Sequence, residues 1–396
     1  MTTHLLRARG AHQHGKVTFI ELFFDLVFVF AVTQLSHTLL AHLSWAGAAQ
    51  TAFLLMAVWW VWIYTSWVTN WLDPERAPVR ILLLALMLAG LALSASLPEA
   101  FGSRAAVFAG AHVFIQVGRG LFMQWALRGH GRDRFRNFLR INAWLGFAGI
   151  LWLAGAVQDG EARYWLWALA LAIEYAGPAM GFFTPGLGRS STADWDVDGA
   201  HMAERCALFI IIALGESILV TGATLAGLEW TPITIASFLI SFVAAVAMWW
   251  IYFDSGAERG SHHIASSGDP GRLARLAYTY IHLLPVAGII VTAVADELVL
   301  SHPMGHDGHA DGATMLTVIG GPALYLLGVL LFKRVIAGRV PLSHLAGLVL
   351  LALLVPAAPH VTPLLLSAAT TVVLILVCVW EGVSLRDSRR AARQGT

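Results

Sequence analysis

Residues 46–68 read AGAAQTAFLLMAVWWVWIYTSWV, 23 consecutive positions without one Asp, Glu, Lys or Arg. As an α-helix rising 1.5 Å per residue, this run extends about 34 Å, enough to cross a hydrocarbon core of about 30 Å. Working outward, windows of similar character run approximately 18–40, 79–98, 105–126, 138–157, 163–183, 203–226, 232–253, 273–297, 314–332, 342–358 and 361–384. Backbone in lipid must satisfy its own hydrogen bonds, so runs of this length can exist only as helices, whereas barrel strands would alternate over about 10 residues. The reading predicts an all-α polytopic membrane protein with about twelve transmembrane helices. Pro341, Pro356 and Pro359 bracket the eleventh segment, which is expected to be short, broken or re-entrant.

Composition agrees with this reading. Hydrophobic residues make up 58% of the chain, charged residues 12%, and the mean hydropathy is +0.69, far from the balance of a soluble domain. A net charge of +1 gives no global field that would draw nucleic acid. Cys206 and Cys378 both fall in apolar runs, where a thiol behaves as a small hydrophobe, so no disulfide framework is read and the redox compartment stays open. Glu21 and Asp25 interrupt the first apolar stretch, which is wrong for a cleavable signal peptide; it is read as a retained first helix.

The positive-inside rule provides an independent test of the count. With twelve spans, all of the 25 Lys and Arg residues except Arg104, Arg119 and Arg163 fall at one side. Adding or losing a span would destroy this alternation. Both termini are therefore expected in the cytoplasm, and the location is expected to be the bacterial cytoplasmic (inner) membrane.

The chain also reads as duplicated, with a first six-helix repeat at 1–190 and a second at 191–396, joined by the polar stretch Gly188 to Gly199. Glu21 and Glu204 open the first and seventh helices. Trp62-Ile63-Tyr64 and Trp250-Ile251-Tyr252 are expected to end the second and eighth. Pro98-Glu99 and Asp296-Glu297 are expected to follow the third and ninth, and Glu174 in the sixth echoes Glu381 in the twelfth. Six helices per half would make these parallel repeats.

Function is sought among polar residues at depth, each of which costs at least about 2.5–3.5 kcal/mol at the bilayer centre unless paired or hydrated. Glu21 and Asp25 are four apart and share a helix face, with Asp25 about 12 Å inside the entry. His112, Gln116 and Arg119 form a polar stripe on the fourth helix, and Arg119 is expected to pair with Asp25 or Glu21. On the seventh, Arg205 and Glu216 return to nearly the same angle after three turns, with Ser217 and Thr221 adding hydroxyls. Glu21, Asp25, His37, His112, Gln116, Arg119, Glu174, Glu204, Arg205, Glu216, Ser217 and Glu381 are the candidate substrate or ion pathway residues. Each has a structural alternative: an ion pair that locks helices, an acid at a helix N-terminus, or a histidine hydrogen-bonded between helices.

Outside the spans, His302, His306, Asp307, His309 and Asp311 crowd one loop, but their spacing fits no defined metal site. The sixteen tryptophans suit interfacial belts and helix packing. There is no H-E-x-x-H, G-x-S-x-G, Walker A or paired C-x-x-C sequence, so no catalytic residue, metal or cofactor is assigned.

At the first and seventh helices the chain resembles a known family. The run Glu21-Leu22-Phe23-Phe24-Asp25-Leu26-Val27-Phe28-Val29-Phe30-Ala31, continuing to His37, together with Glu204-Arg205 and Leu214-Gly215-Glu216-Ser217, resembles the bacterial low temperature requirement A (LtrA) family. The likeness extends over most of the chain. It implies a multi-spanning bacterial membrane protein linked to growth in the cold, and carries no settled biochemical activity with it. A fainter similarity is to the potassium channels related to transmembrane protein 175, whose first helix carries a Phe-Ser-Asp motif. Phe24 stands here in place of that Ser and the second half lacks a Phe-x-Asp, so pore-lining roles are not carried over.

The leading expectation is gradient-driven permeation of an ion, proton or small solute, with the lipid bilayer as surroundings, no nucleic-acid partner, and oligomerisation left open. The alternatives are a membrane-embedded enzyme acting on a lipid or apolar substrate, and a membrane sensor or scaffold.

Overall fold

The computed structural model describes residues 5–7, 16–191, 197–254, 270–305 and 307–394. Arg9, Arg259 and His306, and residues 192–196 of the polar connection, lie outside the described residues. Among the described residues, twelve principal helices follow one another: α1 (Phe19–Ala41), α2 (Trp45–Thr69), α3 (Ala77–Ser96), α4 (Ala105–Ala126), α5 (Arg132–Ala156), α6 (Glu161–Ala179), α7 (Gly199–Ala226), α8 (Pro232–Phe253), α9 (270–301), α10 (Gly312–Ala337), α11 (Leu342–Leu354) and α12 (Pro363–Gln394). Every expected window coincides with one of them. Of these helices of the described residues, ten are long and apolar enough to cross a membrane.

The two outside that set have simple physical reasons. α6 carries Glu161, Arg163 and Glu174 within 19 residues and has Pro178 inside it. α11 spans 13 residues, which rise about 20 Å, short of the hydrocarbon thickness. Its chain continues into a single 3-10 turn at Ala358–His360, so the proline-bracketed segment is indeed the short one.

Local sequence sets several helix ends. Thr231 and Thr234 form a reciprocal capping box at the start of α8, with Pro232 in its first turn; this satisfies donors that a helix N-terminus leaves open. Asp311 accepts from Thr314 N at 2.8 Å to start α10. Gly338, at φ 67°, ends it in the left-handed conformation that favours glycine. α9 is composite: Pro270–Ala274 leads through a π-helical stretch at Arg275–Ile281 into Leu283–Ser301.

Two details differ from the sequence expectation. α2 continues past Trp62-Ile63-Tyr64 to Thr69, whereas Trp250-Ile251-Tyr252 does end α8. Asp296 and Glu297 lie inside α9, because Leu298, Val299 and Leu300 extend the apolar run beyond them. Pro98 and Glu99 occupy a 3-10 turn after α3.

The chain forms two compact units, one of Met1–Thr38, Phe53–Arg205 and Gly268–Arg272, the other of Leu39–Ala52, Cys206–Ser267 and Leu273–Thr396. In the first, α3 packs on α4, α4 on α5 and α5 on α6. Its core is rich in aromatics, with Trp59, Trp60, Trp62, Trp152 and Trp167 fully buried. In the second, α9 lies along α10, and α12 packs on α8, α10 and α11. The α9–α10 contact is a glycine seam: Gly288 faces the Tyr325 backbone, Gly321 faces Thr292 and Gly328 faces Pro285, leaving no room for a Cβ. In lipid, where burial of apolar surface drives no association, such close backbone approach is a main source of helix–helix attraction.

Candidate functional site

In the first unit, polar residues converge where α1 begins, α2 ends and α7 begins. Leu5 to Arg7 run beside the end of α2, with Arg7 N donating to Trp71 O and Asp73 N to Leu5 O at 2.9 and 2.8 Å. This short pairing delivers the Arg7 side chain, whose Nε donates to Thr69 O at 2.8 Å and whose Nη2 donates to Glu21 Oε2 at 2.9 Å. Glu21 also closes the start of α1, accepting from Thr18 N and Thr18 Oγ1 at 2.9 Å, as the acid of a capping box does. Its other oxygen lies 2.9 Å from His201 Nε2. His201 is fixed in turn by Asn70, whose Nδ2 sits 3.1 Å from His201 Nδ1. Glu21 and His201 are fully buried.

One turn deeper, Asp25 Oδ1 accepts from Trp62 Nε1 at 2.8 Å and from Arg205 Nη2 at 2.9 Å. The Arg205 guanidinium also lies over the Trp62 ring, 5.6 Å from its centroid, and Nη2 reaches Ser66 Oγ at 3.2 Å. Asp25 and Arg205 are buried, and Asp25 Oδ2 and Arg205 Nη1 have no hydrogen-bond partner among the described residues. The pair is thus bonded through one atom of each charged group.

The expected pairing of Arg119 with Asp25 or Glu21 is corrected here. Arg205 takes Asp25, and Arg7 and His201 take Glu21. Arg119 instead reaches α2, with Nη1 donating to Val61 O at 3.0 Å and Thr65 Oγ1 at 2.8 Å and Nη2 donating to Gln116 Oε1. Spacing along α4 gave the stripe its common face but could not say which helix lies opposite. The acid that meets the stripe is Glu174, 3.1 Å from His112 Nε2, and Trp152 Nε1 donates to the same carboxylate at 3.1 Å. His112, Gln116, Arg119 and Glu174 are all buried.

In the second unit, Glu216 and Ser217 are buried on α7. Ser217 Oγ donates to Asp296 Oδ2 at 3.0 Å, and Thr221 Oγ1 donates to Ser217 O. Asp296 is 3% exposed, and among the described residues no basic side chain makes an ion pair with it. Glu381 is half-buried and pairs with Lys333 Nζ at 2.7 Å, with His344 Nδ1 at 3.5 Å. Lys333 therefore lies within α10 and not in a loop. His282 Nε2 lies 2.7 Å from Tyr252 Oη.

Two candidates sit apart from these clusters. His37 is exposed near the end of α1, and Glu204 is exposed on α7, accepting from Val17 N at 3.3 Å. Sequence reasoning missed Arg7, Trp62, His201 and Asp296. Asp296 carried a readable signal, since an apolar run continues for three residues beyond Glu297. His201 and Arg7 gave none, lying in polar flanks that only the tertiary structure brings onto Glu21. Asp311 of the histidine-rich loop is used as a helix cap. Among the described residues no group of three or more His, Cys, Asp or Glu is arranged to hold a metal ion.

A family model described as bacterial low temperature requirement A protein (LtrA) matches residues 16–379. The chain belongs to the LtrA family. A Rhizobium meliloti (strain 1021) protein, described as uncharacterized protein RA0937, is 42% identical over 393 residues, covering 98% of this chain and 94% of that relative. No solved structure matches this chain. Family and helices together make this LtrA protein a multi-pass membrane protein.

Proposed function

We propose that this LtrA protein mediates gradient-driven permeation of a proton, ion or small solute across the bacterial cytoplasmic membrane, with both termini in the cytoplasm and two parallel six-helix repeats, 1–190 and 191–396. The observation that carries the reading is Asp296, buried inside a membrane-length helix and held by the Ser217 hydroxyl. A carboxyl whose partner is a hydroxyl can release and regain a proton, or meet a cation, without breaking an ion pair. An acid buried within a membrane-length helix is costly and is kept where transport chemistry needs it. Glu216, the next residue to Ser217 on α7, supplies a second buried carboxyl, and Thr221 a further hydroxyl on the same helix. Growth at low temperature, which gives the family its name, would depend on this permeation.

The test is proton and K⁺ flux into liposomes containing the purified protein, under an imposed potential, for wild type and Asp296→Asn. Wild-type flux that falls at least tenfold in the folded variant is the expected result. No flux in wild type under any gradient would move the reading to a membrane-embedded enzyme or a sensor.

A further inference from the structure

The loop between α4 and α5 and the first turns of α5 carry five arginines, Arg128, Arg132, Arg134, Arg136 and Arg140. Two have partners inside the fold. Arg134 lies over the Trp71 ring, 5.6 Å from its centroid. Arg140 donates from Nε and Nη2 to Leu187 O at 2.9 and 2.6 Å. The other three are different: Arg128, Arg132 and Arg136 are exposed, and their side chains make no hydrogen bond or ion pair among the described residues. All three line one open groove of about 640 Å³ whose remaining wall includes Phe135, Leu139 and Leu187. Gly129 and Gly131, at φ 88° and 104°, turn the chain tightly between α4 and α5, so that Arg128 after the one and Arg132 and Arg136 on the other border the same groove.

We infer that this groove binds the headgroup of an anionic phospholipid, with the arginines on the phosphate and the apolar wall on the upper acyl chains. Three like charges gathered without a counter-charge repel one another, and an anion relieves this. Guanidinium forks match phosphate oxygens geometrically. The apolar wall is what separates a lipid site from one for free phosphate, and the groove lies at the ends of two membrane-length helices, where headgroups are found. The one acid in the segment, Asp133, is exposed and does not line the groove. The inference is independent of the permeation reading, since it concerns no buried carboxyl.

The test measures lipid adducts of the detergent-solubilised full chain by native mass spectrometry, with phosphatidylglycerol, phosphatidylcholine and inorganic phosphate as probes. Each arginine beside an anionic headgroup is worth about fivefold in binding, so R128Q/R132Q/R136Q lowers phosphatidylglycerol affinity about 100-fold while the melting temperature is kept. The corresponding triple Lys variant retains most of the binding. Arg80→Gln, an exposed arginine away from the groove, leaves it unchanged. Equal binding of phosphatidylcholine, full binding by the triple Gln variant, an equal loss in Arg80→Gln, or inorganic phosphate binding as tightly as the lipid would each overturn the inference.

Discussion

Asp25 and Asp296 are both aspartates buried inside membrane-length helices, yet they are held in opposite ways. Asp25 meets a guanidinium and an indole N–H, and one turn away Glu21 meets a second arginine and a histidine. Asp296 meets the hydroxyl of Ser217. The first arrangement fixes charge, because moving any member strands its partner in low dielectric. The second leaves the carboxyl free to change its protonation. A buried acid is therefore not in itself a transport residue; its partners decide. On the permeation reading proposed above, the α1–α2–α7 cluster would serve as a structural joint and Asp296 as the working group.

The largest expected effect comes from breaking the joint. Arg205→Leu leaves Asp25 buried without its cation and should cost about 3–5 kcal/mol, read as a large drop in melting temperature or loss of folded protein. Replacing both partners, as Asp25→Leu with Arg205→Met, should recover much of that. A smaller loss, about 2–3 kcal/mol, is expected from Gly321→Leu, which forces a side chain against Thr292 where the α9–α10 seam is closed. Because Thr292 is one turn before Asp296, this variant should disturb flux as well as stability. Trp62→Phe removes one hydrogen bond to the Asp25 carboxylate and should cost about 2 kcal/mol without altering Asp296. Asp296→Asn should change stability least, by under about 1 kcal/mol, since an amide oxygen can still accept from Ser217. Thermal melts in detergent rank the four, and the ranking separates joint from working group.

The fold was largely legible because lipid permits so few structures. All twelve windows became helices, and α4 appeared over Ala105–Ala126, the window the sequence gives. α11 fell short where Pro341 and Pro356 said it would. The site was legible in composition and not in pairing. The α4 stripe of His112, Gln116 and Arg119 is buried on one face, as helical periodicity requires. That Arg119 turns to Thr65, and Arg205 to Asp25, depends on helix neighbours that no periodicity encodes. Asp296 escaped because a pair of acids reads as a loop signal, although Leu298 to Leu300 continue the span past it.

The most direct test of this contrast is infrared difference spectroscopy of the purified protein between pH 5 and pH 9. The account predicts a carboxylic acid C=O band that appears and disappears with pH, is lost in Asp296→Asn and persists in Asp25→Asn. A titrating band that survives in Asp296→Asn and vanishes in Asp25→Asn would contradict it, making the α1–α2–α7 cluster the group that exchanges protons.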